Sequence, residues 1–209
     1  MTSRNSEEDC LPSGTGVTNR KAFLRRLALA AGVLLPLAWV MEPVAVTVHE
    51  VVGHGLTSLG LGGSFVGFSV DMNGMGGAVV PLPMEAPVWK RILVLSGGVI
   101  STGVLGLLLL GIAALLRSAL LPAALVIFGA HLLFDAAPYV FWNALYPAGP
   151  GDIGEVLHLT GSPRLRPALV AAGGVLTFSG IWVVTALLFR ALGSPGGASG
   201  RGLPSTRLP

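Results

Sequence analysis

The chain has 209 residues, 52% of them hydrophobic and only 11% charged, with a formal net charge of +3 and a mean hydropathy of +0.76. This balance excludes an ordinary soluble domain and points to an integral membrane protein in a lipid bilayer. The basic residues border apolar runs and form no dense patch, which argues against nucleic acid as a partner, and the lone Cys10 excludes a disulfide framework or a cysteine metal cluster.

Residues 1–19 are polar, with an acidic Glu7-Glu8-Asp9 cluster, and read as a disordered tail on which Cys10 is a free thiol. Leu27 to Met41 is the first apolar stretch, lengthened by Arg25 and Arg26, whose stems can snorkel along it. A cleaved signal peptide fits it less well, because the polar leader is long and no small-x-small cleavage site follows. After a turn at Glu42-Pro43, where Glu42 is expected at the interface, Val44 to Leu61 forms a second apolar stretch. From Gly62 to Val80, short β-prone runs separated by glycines and by Asn73-Gly74 suggest a hairpin. Lipid does not tolerate open strand edges, so this hairpin is expected at the interface or lining a cavity, where its edge could hold an extended peptide.

Between Arg91 and Arg117, and again between Arg166 and Arg190, no charged residue occurs, and each segment is long enough to cross about 30 Å of hydrocarbon as a helix. Ser96-Gly97-Gly98, Ser101, Thr102, Gly103 and Gly106 give the first of these a close-packing face. A further span runs from Ser118 toward Trp142, interrupted only by His131 and Asp135, and residues 193–209 form a second polar tail. The expected fold is an all-α integral membrane protein of about five transmembrane helices, with one membrane-embedded domain over residues 20–192 and a Gly-rich, hairpin-like segment beside the second helix. Placing Arg20, Lys21, Arg25, Arg26, Lys90, Arg91, Arg164 and Arg166 inside, and Arg117, Arg190, Arg201 and Arg207 outside, gives a multi-pass protein of a prokaryotic plasma membrane with a cytoplasmic N-terminus.

Within the second apolar stretch stands His49-Glu50-Val51-Val52-Gly53-His54. Ionisable groups at bilayer depth are costly and mark function. The run is one residue longer than His-Glu-x-x-His, in which two histidines a helical turn apart bind zinc and the glutamate activates water. On a regular α-helix, positions five apart differ by about 140° and cannot share an ion. A π-bulge at Val52-Gly53 would realign His49 with His54. A second register needs no bulge: Glu50 and His54 are four apart, as are His131 and Asp135, and two facing helices could build a different metal site from them. His131 and Asp135 read equally well as a hydrogen-bonded pair, and His158 as a structural residue near the membrane edge. Asp152 follows a stretch broken by Pro147, Gly149, Pro150 and Gly151, where it either caps a short helix or supplies a third metal ligand.

The chain resembles the site-2 protease family of intramembrane zinc metalloproteases, the M50 class, over roughly residues 44 to 160. Three ordered features carry the resemblance: His49-Glu50-Val51-Val52-Gly53-His54-Gly55 with Gly62-Gly63 after it; Ser96-Gly97-Gly98, where the family often has Gly-Pro; and Asn143 followed by Asp152-Ile153-Gly154, where it has Asn and then Asp-Gly. The resemblance implies His49, His54 and Asp152 as ligands of Zn2+, Glu50 as general base and acid, Asn143 as oxyanion or substrate-positioning group, and a membrane-protein or peptide substrate. The longer histidine spacing, the missing proline and the longer Asn-to-Asp loop depart from the family pattern. Two other functions fit those departures: a non-catalytic membrane scaffold whose site is lost, or a small transporter with His131, Asp135 and Glu50 as an ion or proton relay.

Overall fold

The computed structural model describes residues 15–71, 75–116, 120–147 and 151–193. Asn73-Gly74, Arg117 and both tails beyond these limits lie outside the described residues, as does Cys10. The elements in order are α1 (Thr15–Thr47), a π-helical segment (Val48–Gly55), α2 (Leu56–Gly60), β1 (Gly67–Val70), β2 (Gly76–Val79), α3 (Val88–Leu115), α4 (Leu120–Leu145), α5 (Asp152–Thr160) and α6 (Leu165–Gly193).

Four helices are long and apolar enough to cross a membrane: Leu35–Gly60, Val88–Leu115, Leu121–Leu145 and Leu165–Arg190. The expected break at Pro43 is absent, because both N-terminal apolar stretches belong to one continuous helical rod that contains Pro36 and Pro43. Proline costs a helix one backbone hydrogen bond, a loss tolerated in membrane helices where nearby hydroxyls take up freed groups. Pro43 offers no donor to the carbonyl four residues before it, that of Trp39; separately, the Thr47 hydroxyl bonds back to its own helix at the Pro43 carbonyl, 2.7 Å away.

This continuity overturns the expected charge topology. Lys90 donates through Nζ to the Leu61 carbonyl at 2.7 Å, so it sits at the C-terminal end of the rod, whereas Arg20 to Arg26 lie at the N-terminal end. Arg166 donates to the carbonyls of Ala144 and Leu145, and Arg190 to that of Ala114. Each cation satisfies carbonyls that a helix C-terminus leaves without partners. Basic residues thus occupy both ends of the bundle, with Lys90, Arg91, Arg164 and Arg166 at the end opposite Arg20, Lys21, Arg25 and Arg26 rather than on the same side.

Half of the α4 span window is buried, against 17 to 28% for the other three, which makes α4 the central helix. Leu110 and Ala113 of α3 pack against Val126 and Leu133 of α4, with Val184, Leu187 and Leu188 of α6 covering them. Glycines let the backbones close: a Cβ on Gly106 would stand 2.8 Å from the Gly129 carbonyl, and one on Gly173 would meet the Phe141 backbone at 2.7 Å. Trp89 at the start of α3 and Trp142 and Tyr146 at the end of α4 are all exposed, an aromatic belt at the end of the bundle that carries Lys90.

The hairpin lies against the π segment and pairs antiparallel, with Gly67 opposite Val79 and Val70 opposite Gly76. Asp71 donates its N–H to the Met75 carbonyl at 2.9 Å, which sets the phase of the ladder. Gly76 and Ala78 therefore turn their backbone N–H and C=O away from β1, toward the cleft described below.

Candidate metal centre

The extra residue in the histidine motif is absorbed by the π-helical segment Val48–Gly55. Its i to i+5 bonding stacks positions five apart, and the His49 and His54 rings consequently lie 5.0 Å between centroids. Space for this comes from α3. A Cβ on Gly53 would overlap the Gly98 backbone, one on Gly97 would meet the Gly53 carbonyl and Thr57, and one on Gly98 would enter the His49 imidazole. The Ser96-Gly97-Gly98 stretch is thus the floor on which the motif rests.

Asp152 is the first residue of α5, and its side chain makes no helix cap. Its Oδ2 lies 3.4 Å from His49 Nε2 and 3.3 Å from His54 Nε2. Ligand atoms of the three residues all fall within 4.8 Å of one another, the one such group among the described residues.

The hydrogen bonds behind the rings define what converges there. His49 Nδ1 is 2.9 Å from Asp135 Oδ2, and His54 Nδ1 is 2.7 Å from the Val94 carbonyl. A carbonyl and a carboxylate only accept, so both Nδ1 atoms carry the proton, and in the neutral rings both Nε2 atoms present lone pairs. Two imidazole nitrogens and a carboxylate oxygen facing one point are held together either by protons on Nε2 or by a metal ion between them. Charge-assisted N–H···O contacts run to about 2.7–2.9 Å, shorter than the two found here, whereas a tetrahedral ion held at about 2.0–2.1 Å gives ligand edges of about 3.3–3.4 Å. The donor set, the spacing and the engaged Nδ1 atoms all fit a divalent metal such as zinc. Burial opposes the charge on Asp152, but hydrogen bonds and charge from His49 and His54 in their protonated form outweigh that and hold its carboxyl well below the usual carboxylate range; a divalent metal in place of those protons acts in the same direction.

Glu50 is buried, and its carboxylate accepts a hydrogen bond from the backbone of Ala78, one of the groups that β2 turns outward. With His49, His54 and Asp152 it lines a cavity of about 630 Å³ whose other walls include Gly76, Ala78, Leu95, Phe134 and Tyr139. A second cavity of about 550 Å³, walled by Gly154, Glu155 and His158, shares Asp152 with the first.

The alternative register does not form. Asp135 faces His49, while His131 donates to its own helix at Ile127 and lies 4.0 Å from Glu42. Asn143 is outside the cavity lining; its amide donates to the Tyr139 carbonyl at 3.0 Å, and its oxygen fills the space a Cβ on Gly151 would need. Asp135, Tyr139 and the Val94 carbonyl are contacts that the motifs did not indicate. The one available signal was Asp135 itself, a carboxylate in an apolar span. No protein-family model, curated protein or solved structure matches the chain.

Proposed function

We propose that this protein is an intramembrane metalloprotease of the site-2 type, holding zinc through His49, His54 and Asp152 and cleaving peptide bonds of membrane proteins. The observation that carries this reading is the convergence of His49 Nε2, His54 Nε2 and Asp152 Oδ2 in a cleft that also holds the Glu50 carboxylate. Three protein ligands leave a fourth position free, which distinguishes a hydrolytic site from a structural one. When bound there, zinc supplies an acidified water and polarises the carbonyl under attack.

The rest is work for the chain's own residues. Glu50 takes the proton released from the water and returns it to the leaving amine. The outward N–H and C=O of Gly76 and the outward C=O of Ala78, whose N–H is taken by Glu50, hold an extended segment of substrate by adding it beside β2. The cavity on the far side of Asp152 admits water to a site otherwise bounded by apolar helices. The π segment, which keeps the histidines aligned, supports this reading over a scaffold without a site. The separation of His131, which stands by Glu42, from Asp135, which pairs with His49, supports it over a relay through His131 and Asp135.

The test is zinc content and cleavage of a transmembrane-peptide substrate by purified protein in detergent. Glu50→Gln should retain one zinc per chain and lose cleavage by at least about 100-fold, while His54→Ala and Asp152→Ala should lose zinc and cleavage together. Undiminished cleavage by Glu50→Gln would refute the mechanism.

A further inference from the structure

Helix α4 supplies none of the three converging ligand atoms, yet it touches two of the residues that do. Asp135 and Tyr139, one helical turn apart, both line the cleft. The Asp135 carboxylate receives the His49 Nδ1 proton at 2.9 Å, with only 16% of the Asp135 side chain exposed. The Tyr139 hydroxyl accepts the Asp152 backbone N–H at 3.0 Å and donates to Asp152 Oδ2 at 3.3 Å, and its ring stands edge-on to the His49 imidazole, 5.8 Å between centroids. His49 comes from the π segment and Asp152 from α5, so neither shares an element with the other, and side chains of α4 hydrogen-bond to both.

Two features separate this arrangement from incidental packing. A carboxylate largely withdrawn from solvent in an apolar helix is costly unless its charge is used, and its partner here is one ligand's outer nitrogen. The Tyr139 hydroxyl has both of its hydrogen-bonding directions spent on a single residue, the carboxylate ligand. On these grounds, and resting on the metal-site reading above, we infer that Asp135 and Tyr139 are positioning residues of the metal centre. Asp135 fixes the His49 tautomer and raises the basicity of Nε2, and Tyr139 fixes the direction of the Asp152 carboxylate. The centre is then built across three elements, with α4 as its frame.

The experiment measures zinc affinity by chelator competition, and the absorption spectrum of the cobalt(II)-loaded form, for full-length protein in detergent. Thermal melts without metal run alongside. Asp135→Ala should weaken zinc about 10- to 100-fold and alter the cobalt bands. Asp135→Asn keeps an oxygen that accepts from Nδ1 and should recover part of that loss. Tyr139→Phe keeps the ring and should weaken zinc with an unchanged melt. Zinc affinity and cobalt spectrum like the wild type in Asp135→Ala, or an Asp135→Asn no better than Asp135→Ala, would overturn the inference and leave the protease reading standing. Should Asp135→Ala not fold, wild-type zinc affinity in both Asp135→Asn and Tyr139→Phe would overturn it equally. A wild-type protein that takes up neither metal brings down both.

Discussion

At the residue scale the site depends on atoms that are missing. Gly98 has no side chain because the His49 imidazole occupies that space, and Gly53 has none because Gly98 lies behind it. Gly98→Ala forces a methyl group into the ring. Overpacking of this kind costs about 1–3 kcal/mol or displaces the intruded group, and an imidazole at the edge of a cavity is the easier part to move. We expect Gly98→Ala to reduce bound zinc nearly as far as His49→Ala while lowering the melting temperature only modestly, as read by elemental analysis beside a thermal melt. Gly111→Ala on the same helix, where a Cβ would meet nothing within 4 Å, should change neither quantity. His49, Glu50 and His54 stood out in the sequence because charge in an apolar run has few innocent explanations, whereas Asp152, after a Pro- and Gly-rich loop, stood out only through the family resemblance. Which acceptor each ring nitrogen meets depends on packing between helices, so the pairing of Asp135 with His49 was not legible, although His131, four residues away, had suggested a local pair.

At the scale of elements, the π segment is the local answer to a one-residue insertion. It lets the helix on either side keep its phase, so that Val46 still meets the hairpin at Gly76 on one side and Ser58 still bonds to the Ser64 carbonyl on the other. Deleting Val52, which is 42% exposed and contributes little to the core, should return the segment to regular α-helix with the histidines four apart. That variant is expected to keep one zinc per chain and to melt at a higher temperature, since a π turn is the less stable form. Loss of zinc on deletion would show that the ring positions need the wider turn. The hairpin was foreseeable from its glycines and β-prone runs, whereas the break expected at Pro43 was not found. Proline reads as a helix stop by rules drawn from water, and in an apolar phase the helix has no better alternative for its remaining backbone groups.

For the whole molecule, three long helices form a bundle around α4, and the site sits at one end of it. The contact of Gly106 with Gly129 draws α3 and α4 together, and α3 carries both Gly98 and the Val94 carbonyl that holds His54. Gly106→Val should separate these helices, lowering the melting temperature in detergent and weakening zinc although residue 106 touches no ligand; a lower melt with unchanged zinc affinity would show the two ends of the bundle to be independent. The three later helices long and apolar enough to cross a membrane were readable from hydropathy, whereas the N-terminal stretches were read as two, and the distribution of basic residues between the two ends followed only once they joined into one rod. Under the proposed protease function, the aromatic belt has a consequence for the products. Val94 lies five residues into α3 from Trp89, about 7.5 Å along the axis, and Tyr139 is less than a turn from Trp142. A polypeptide severed at that shallow level divides unevenly: one fragment keeps nearly all of its apolar span and stays in the bilayer, while the other leaves with only a few greasy residues at its new terminus and is free to diffuse away.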